Sequence, residues 1–497
     1  MGRKATGPGE TWIAGLPKKQ EPTAGGYCFK YKGPSHLEVE MKSKKQIRDR
    51  IAICFLCVAI VIGLLVVSCS NVYAKDIWIS AYYGGWAQGC GYVGNMQADK
   101  IDYSAITHII HFAIKPLPEG FIDDTTLCIT PENSAALIKH AHAAGKKVLV
   151  SVGGEYTESA FLSATNSANR QKFINNLINF ITTRGYDGID LDWEPVTPSS
   201  ISQVTTLIVE LRAALDAVTP RPLFTAAVAW EPDLFAQLQD RFDQINLMTY
   251  DLNGNWLNGS WFNAPTYDGG YWFPASGPAP SANGLVDMFI SAGLNPAKLG
   301  IGIGFYGYVA KGGNGTPTGG VTAPGQLWTS QPTKTAYTYY DIMDKFFKPQ
   351  NYRYDSAAGA AYLSYDMPGS SEDMFITYDD ELSIFEKVNY VRKKVIGGVI
   401  IFQLGGGWRP NAPVPDNLLQ AVKDAVMQTE NQDMVPSIPI LNSPSNSAAG
   451  ISTSTTLEWD FSAGADSYTL QVSQSPEFVE PIVNQDNLTA LSTTLTD

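Results

Sequence analysis

The sequence predicts an α/β fold that closes into a parallel barrel, and two observations lead to that prediction. From Ile77 onward, short apolar runs alternate with segments of helical periodicity, the pattern of parallel β/α units. One run, residues 186–195 (YDGIDLDWEP), alternates three carboxylates with three apolar residues. A strand sends successive side chains to opposite faces, so the acids share one face and the apolar residues the other. An inward acidic row with an outward apolar face suits a barrel strand.

The same strand is the predicted site of chemistry. Burying Asp190, Asp192 and Glu194 in a row is costly, so at least one should hold a proton at neutral pH. Glu194 lies at the carboxyl end of the strand, where parallel barrels place their reactive groups, and a protonated carboxyl can act there as a general acid. The alternative is an edge strand with a solvated acidic face. Pro195, which stops the strand, and Gly188, which lets the backbone enter tightly, favour the barrel strand.

Composition limits the classes of partner. The chain has 497 residues, 44% of them hydrophobic, so it can bury a large core and hold more than one domain. The net charge of -13 argues against nucleic acid or anionic membrane surfaces as partners. A neutral polysaccharide is compatible with such a surface.

The N-terminal region has the sequence pattern of an export segment. Residues 1–40 are polar and without period, which predicts a disordered or upstream extension. Residues 41–74 combine a basic stretch with an apolar run at 51–68, the parts of a secretory signal, and we expect translation to start at Met41. Three outcomes stay open: cleavage before Lys75, lipidation of Cys69, or an uncleaved membrane anchor. All three predict a secreted or extracytoplasmic protein, either free or tethered to the membrane.

The acidic strand resembles the signature of glycoside hydrolase family 18, the chitinase family, whose pattern is Asp-Gly-x-Asp-x-Asp-x-Glu. Asp187, Gly188, Asp190, Asp192 and Glu194 fill every fixed position. Two further stretches match family motifs, Ser-x-Gly-Gly at 151–154 and Met-x-Tyr-Asp at 248–251. The resemblance implies a (β/α)8 TIM barrel over residues 75–430, with a small α+β insertion at about 309–375 between strands 7 and 8.

The elements follow in order along the chain. The apolar runs predict eight barrel strands, at 77–86, 107–114, 147–154, 186–195, 223–230, 245–251, 299–308 and 397–408. Between them, apolar stripes predict helices at about 133–144, around 173–181 and around 204–215, and a last helix follows Asp416. Gly145 and Gly185 stand where helix C-caps need a left-handed residue.

The resemblance also implies the roles of site residues. Glu194 is the acid, Asp192 stabilises the charge on the substrate acetamido group, Asp190 lies deeper and shares a proton with Asp192, and Tyr250 steadies the acetamido carbonyl. No metal or cofactor is implied. The implied substrate-binding residues line the strand ends: Tyr82, Trp86, Phe112, Gly153, Gly154, Trp230, Met248, Asp251 and Phe402.

Phe402 marks a departure from the family. The family usually has a Trp on strand eight as the floor of the catalytic subsite, but here Phe402 is followed by Gln403. The stacking partner of the sugar is therefore in question, while the acid remains.

The other aromatic residues and the histidines have weaker claims. Trp86, Trp230, Trp256, Trp261 and Trp272 fall at or after strand ends and could stack on sugars or simply pack. Trp193 points away from the acids and should pack against a helix. The histidines show no metal or triad pattern.

A second domain is expected at the C-terminus. Residues 431–446 are rich in Ser, Pro and Asn and predict a linker. Residues 447–497 show alternation with Trp459 and Tyr468 and resemble a truncated fibronectin type III domain, a partial β-sandwich.

These observations favour a hydrolase of N-acetylglucosamine polymers, with chitin as the polysaccharide substrate. An endo-β-N-acetylglucosaminidase acting on N-glycans or peptidoglycan, or a chitin-binding lectin on the same barrel, are the alternatives. The lectin is disfavoured because the acid is present. Cys90 and Cys128 could form a disulfide in an oxidising compartment or remain free thiols.

Overall fold

The fold was determined from a computed structural model that describes residues 77–89 and 96–427, and, between 441 and 496, residues 441–444, 448, 450–459, 467–473 and 481–496. The expectations for residues 1–76, including Cys69 and the apolar run 51–68, lie outside the described residues, as does Cys90. Cys128 is disulfide-bonded, which excludes a free thiol at that position. Among the described residues, no helix is long and apolar enough to cross a membrane.

A closed parallel barrel forms the body of the described chain, which confirms the predicted fold class. The first strand pairs in parallel with both the second and the eighth, so the barrel has no free edge. The strands are β1 Trp78–Gly84, β2 His108–Pro116, β3 Lys147–Gly154, β4 Gly188–Trp193, β5 Leu223–Val228, β6 Gln244–Leu247, β7 Leu299–Gly304 and β8 Gly398–Phe402.

Helices cover the outside of the barrel. Their boundaries follow local signals: Thr130 caps the first helix through its side chain, and Gly185 ends the third in the left-handed region at φ 83°. The helices are α1 Pro131–Ala143, α2 Glu158–Ala164, α3 Arg170–Arg184, α4 Ile201–Asp216, α5 Pro232–Leu238, α6 Ala282–Ser291, α7 Tyr339–Lys345, α8 Glu381–Lys393, α9 Leu404–Gly407 and α10 Asn417–Met427. The main core lies between these helices and the outward strand faces.

The insertion is an antiparallel sheet that starts earlier than the sequence suggested. The predicted seventh strand, 299–308, is two strands: β7 ends at Gly304, and Tyr306–Lys311 already pairs with insertion strands. The strand-like alternation continues through Phe305, so the sequence pattern does not show that the pairing partners change there from barrel strands to insertion strands. The insertion strands are Tyr306–Lys311, Thr333–Thr338, Tyr352–Asp355, Ala360–Tyr365 and Met374–Tyr378.

The sixth strand ends earlier than predicted, at Leu247 rather than 251. The Thr249 hydroxyl donates to the Gly302 carbonyl at 3.1 Å and accepts from the Gly302 amide at 2.8 Å. A side chain thus takes the place of the backbone hydrogen bonds between the two strands at this point.

Both ends of the insertion are fastened at one point. The buried Asp379 carboxylate accepts from the Gly304 amide at 2.9 Å and from the Ser383 hydroxyl at 2.8 Å. It also pairs with the buried ammonium of Lys387 on α8. Since Gly304 precedes the insertion and Asp379 follows it, this network closes the insertion at its base.

Short strands form the C-terminal region. Leu441–Ser443, Thr455–Trp459 and Ser492–Leu495 make one sheet, and Tyr468–Val472 pairs with Val483–Leu488 in another. The first of these strands belongs to the terminal sheet, although the sequence placed it in the linker, because its backbone pairs with Thr455–Trp459. Short two-residue strands also occur at Ile122–Asp123, Trp272–Phe273 and Gly277–Pro278.

Candidate active site

Strand β4 places its acids in the barrel lumen as alternation predicted. Asp190 and Asp192 are buried, and Glu194 follows directly at the strand's carboxyl end. On the opposite face, the Trp193 ring stacks on Phe161 of α2, with centroids 4.3 Å apart and planes 7° from parallel. Trp193 therefore packs against a helix, away from the acids.

Asp190 is the most fully satisfied member of the row. One oxygen accepts from the Tyr82 hydroxyl at 2.8 Å and the other from Thr225 Oγ1 at 2.6 Å. Burial raises the pKa of Asp190, and these hydrogen bonds oppose the rise. With both oxygens held by β1 and β5, Asp190 is anchored at the bottom of the site.

Asp192 and Glu194 lie close together at the upper end of the row, and each changes the pKa of the other. Burial raises the pKa of both carboxyls, and their mutual repulsion raises the pKa of Asp192 further. Tyr82 and Thr225 each donate to one Asp190 oxygen and leave a second lone pair on it, and proton sharing between Asp190 and Asp192 stays a prediction. Asp192 Oδ1 is buried without a hydrogen-bond partner among the described residues.

Aromatic rings close the lumen around the acids. The Phe402 ring lies 5.5 Å from Phe112, 5.7 Å from Tyr82 and 5.9 Å from Tyr250, measured between centroids. Met248 packs into the same cluster. The floor position on β8 is therefore aromatic, although its ring is a phenyl instead of the indole usual in the family.

The two glycines that end β3 allow a close approach to β4. A Cβ on Gly153 would lie 1.9 Å from the Asp192 carbonyl oxygen, and one on Gly154 would lie 3.0 Å from the Phe112 ring. Both residues have positive φ, 125° and 101°. Glycine is required here both by space and by backbone conformation.

Asp251 lies at the rim beyond β6, in the left-handed region at φ 59°. Its amide donates to Asn263 Oδ1 at 2.9 Å, and its Oδ1 accepts from the Tyr308 hydroxyl at 2.8 Å. The Lys334 ammonium lies 4.7 Å above the Tyr308 ring and donates to the Asn253 carbonyl at 2.7 Å. The insertion thus holds Asp251 near the acids.

The predicted loop aromatics divide into two groups. Trp86 is half-buried against the edge of Phe112, and Trp230, Trp256 and Trp272 are exposed. Trp261 is buried in a second core, where its indole donates to the Pro280 carbonyl at 2.8 Å, so it cannot reach a sugar. The sequence shows only that Trp261 follows a strand, and burial decides its role.

A pocket of about 290 Å³ adjoins Glu194. Its walls are Glu155 and Tyr156 after β3, residues 193–196, residues 227–230, Phe235 and Met248. Within the described ranges, no group of three His, Cys, Asp or Glu side chains could hold a metal ion.

Several site residues were missed at the sequence level. Thr225, Tyr306 and Tyr308 belong to the site through contacts with distant strands. Alternation along β5 could have placed Thr225 in the lumen beside Ala227. Glu155 and Tyr156 directly follow the Gly-Gly pair, which was the available signal for them.

A parallel barrel whose fourth strand carries a carboxyl row beneath an aromatic cleft defines a glycoside hydrolase. The chain belongs to glycosyl hydrolases family 18, whose family model matches residues 79–407.

Curated relatives agree with this assignment, and solved structures agree with the fold. The chain is 31% identical over 302 residues to Chitinase A1 of Niallia circulans, covering 52% of this chain and 40% of the relative. It is 28% identical over 274 residues to a probable endochitinase of Caenorhabditis elegans, covering 52% and 43%. The fold matches the crystal structure of an Ostrinia furnacalis Group IV chitinase with a TM-score of 0.60 at 23% identity, covering 71% of this chain and all of that one. The chain thus spans less than half the length of these two curated relatives.

Proposed function

We propose that this chain hydrolyses β-1,4-linked N-acetylglucosamine polymers, chitin, with retention at the anomeric carbon. The observation that carries the proposal is the Asp192–Glu194 pair at the strand end, two carboxyls whose pKa values are raised by burial beside an aromatic cluster. Membership of family 18 and relatives named chitinase and endochitinase support it.

In the proposed reaction the substrate supplies the nucleophile. Retaining glycosidases normally need a second carboxyl about 5–5.5 Å across the sugar ring, and family 18 is an exception in which the substrate assists. Asp192 lies two residues before Glu194 on the same face of the same strand, so it is poorly placed to attack from across the ring. The acetamido carbonyl oxygen bonds to the anomeric carbon, the glycosidic bond breaks, and the Glu194 proton passes to the leaving oxygen. Water then opens the oxazolinium ion, giving its proton back to Glu194.

The neighbouring groups have supporting roles in this proposal. Asp192 turns from Glu194 to the acetamido N–H and stabilises the oxazolinium charge. Tyr250 donates to the acetamido carbonyl. Asp190, anchored by Tyr82 and Thr225, fixes the charge beneath Asp192. The remaining contacts to the sugar are assigned to Tyr82, Trp86, Phe112, Gly153, Gly154, Trp230, Met248, Asp251 and Phe402.

Glu194→Gln tests the assignment. The amide is nearly isosteric and still hydrogen-bonds, but it delivers no proton, so turnover of a soluble chito-oligosaccharide should fall at least about 10²-fold while binding persists. Hydrolysis is measured by product release and binding by calorimetry. Glu210→Gln on the outer helix α4 is the matched control and should leave both unchanged. Turnover of Glu194→Gln within about tenfold of the parent would remove Glu194 as the acid.

The same assay separates the alternatives. N-glycan and peptidoglycan substrates are tested beside chitin oligosaccharides, since each carries an acetamido group. Cleavage of only those substrates would replace chitin, and binding without turnover by the parent protein would indicate a lectin.

We also propose a secreted enzyme whose barrel spans 75–430, preceded by an export segment at 41–74. The basic stretch before the apolar run supports export. N-terminal sequencing of the exported protein distinguishes cleavage before Lys75 from lipidation at Cys69 or an uncleaved tether, and a purely cytosolic product would contradict export.

The terminal strands are proposed to be part of a fibronectin type III-like module. Paired antiparallel strands and the Trp459–Tyr468 contact, with ring centroids 5.7 Å apart, support this. An experimental structure of this region with a different strand order would reject the assignment.

A further inference from the structure

The pocket beside Glu194 adjoins the aromatic cluster of the lumen. The floor rings Tyr82, Phe112 and Phe402 come from β1, β2 and β8, which are neighbours in the closed sheet. The pocket is lined by residues at the ends of β3, β4 and β5 and by Met248 after β6, and Ala227 and Met248 belong to both the cluster and the pocket. A sugar stacked on the floor with its leaving oxygen at Glu194 has this pocket next to it for the following sugar.

The pocket lining contains acids and no basic residue. The acids are Glu155 and Glu194, and because Glu194 is the protonated acid of the proposed reaction, the charge in the pocket is that of Glu155. Among the described residues Glu155 forms no salt bridge, and its charge helps to raise the pKa of Glu194. Other acids that face Glu194 are Asp192 on its own strand and Asp251 beyond β6. The nearby Lys334 ammonium is already engaged by the Asn253 carbonyl and the Tyr308 ring.

Two exposed aromatic rings line the same pocket. Tyr156 is 82% exposed and Trp230 is 56% exposed. Aromatic faces attract sugars and also cations, so a pocket that combines a carboxylate with two such rings suits an aminosugar with a charged amine better than a neutral one.

We propose that the pocket selects a glucosamine unit on the leaving-group side, so that partially deacetylated chitin is the preferred substrate and Glu155 is the specificity-determining residue. The proposal rests on the proposed function, because the cleaved unit must keep its acetamido group as the nucleophile. The preferred bond therefore joins an N-acetylglucosamine to a following glucosamine. The Glu155 carboxylate accepts a hydrogen bond from the C2 ammonium, a charge-assisted contact.

Sequencing the products of a partially acetylated chitosan digest tests this selection. The substrate is cleaved at about pH 5.5, where an amine is protonated, and the new non-reducing ends are identified by mass spectrometry. We expect glucosamine at these ends about 2–5-fold above its share in the polymer, the range of an exposed ion pair. Glu155→Gln should bring the ratio close to one, Glu155→Lys should bring it below one, and salt should weaken the selection in the parent.

The ratio of glucosamine to N-acetylglucosamine at the new non-reducing ends separates specificity from rate. Replacing Glu155 also lowers the pKa of Glu194, but that change affects both end types equally and cancels in the ratio. Glu119→Gln, on an exposed turn outside the pocket, is the control and should keep the parental ratio. Ends that match the polymer composition and do not respond to Glu155→Gln or Glu155→Lys would overturn the proposal. Failure to cleave a fully acetylated hexamer would instead overturn the proposed function itself.

Discussion

At the scale of single residues, the site is organised by which oxygens are already occupied. Asp190 has both oxygens engaged, by Tyr82 and Thr225, which fixes its position at the bottom of the row. Asp192 and Glu194 lie above it, and burial raises the pKa of both carboxyls. An anchored carboxyl below two carboxyls of raised pKa lets one strand supply both a fixed group and an acid.

Asp251 should tune the acid through its charge. It is one of the groups that raise the pKa of Glu194, and a general acid works only while protonated. Asp251→Asn removes that charge, so the Glu194 pKa falls and the alkaline limb of kcat/KM moves to lower pH, by about 0.5–1 unit. Because Asp251 is also assigned to substrate contact, kcat/KM is measured over a full pH profile. The position of the alkaline limb is then separated from a loss of activity that is equal at every pH.

Tyr308→Phe provides the companion measurement for this prediction. It removes the 2.8 Å hydrogen bond to Asp251 but keeps the carboxyl charge. We expect a smaller displacement of the same limb than for Asp251→Asn. A limb that stays in place in Asp251→Asn would show that its charge does not act on Glu194.

At the scale of elements, the contact between β3 and β4 sets the position of the acids. The register places Gly153 opposite Asp192 and Ser151 opposite Asp190. No side chain fits at Gly153, since its Cβ would meet the Asp192 carbonyl oxygen and the Phe161 ring. The strand pair is therefore held at a spacing that any substitution would widen.

Gly153→Ala should displace β4 and lose most activity together with stability. Gly145→Ala is a matched control, because Gly145 also has a positive φ, 71°, but has no atom within 4 Å of an added Cβ. The control isolates backbone strain, about 1–2 kcal/mol, and should keep full activity. Thermal unfolding and kcat/KM are measured for both variants. Equal losses in the two variants would show that strain alone matters at Gly153.

The bounds of an element could be predicted from the sequence where the local pattern alone sets them. They could not be predicted where a contact with a distant strand sets them. Strand β3 was predicted residue for residue, because alternation, β-branched residues and the Gly-Gly end agree. The end of β6 was not predicted, because it is set by hydrogen bonds between Thr249 and Gly302 of β7, which lies some fifty residues further along the chain. The acidic face was predicted from period alone, while the anchoring of Asp190 depends on Tyr82 and Thr225 from other strands. The sequence left open whether Trp261 packs or stacks on sugars, since burial is a tertiary property.

At the scale of the whole molecule, buried carboxyls and buried histidines have opposite effects on the pH dependence of stability. Burial raises the pKa of Asp380 to about 6 and of Asp416 to about 7, above their unfolded values. Their stabilising contribution is present in acid and is lost as pH rises through the folded pKa. Burial lowers the pKa of His108 to about 4 and of His111 to about 3, so stability is lost as pH falls below the unfolded value of about 6.5.

These opposing contributions nearly cancel between pH 8 and about pH 4, so the Tm of the parent protein should change by no more than a few degrees over that range. Asp416 Oδ2 is buried without a hydrogen-bond partner in the described chain, and Asp416→Asn removes one of the two carboxyls that offset the histidines, so the Tm of this variant should fall on acidification from pH 7 to about pH 4. Calorimetry across this pH range gives the curve for both proteins. A parent protein whose Tm falls as steeply on acidification as that of Asp416→Asn would contradict the prediction.

The closed base of the insertion has a consequence for the thermodynamics of sugar binding. Gly304 and Asp379 are joined directly, and the insertion continues from β7 through Phe305 alone, so no free stretch of chain can serve as a hinge. The wall that carries Tyr308 stands in place before any sugar arrives. Sugar binding then costs the protein little conformational entropy, and most of the entropy loss comes from ordering the polysaccharide. The affinity for successive sugar units should therefore depend on how stiff the incoming chain already is.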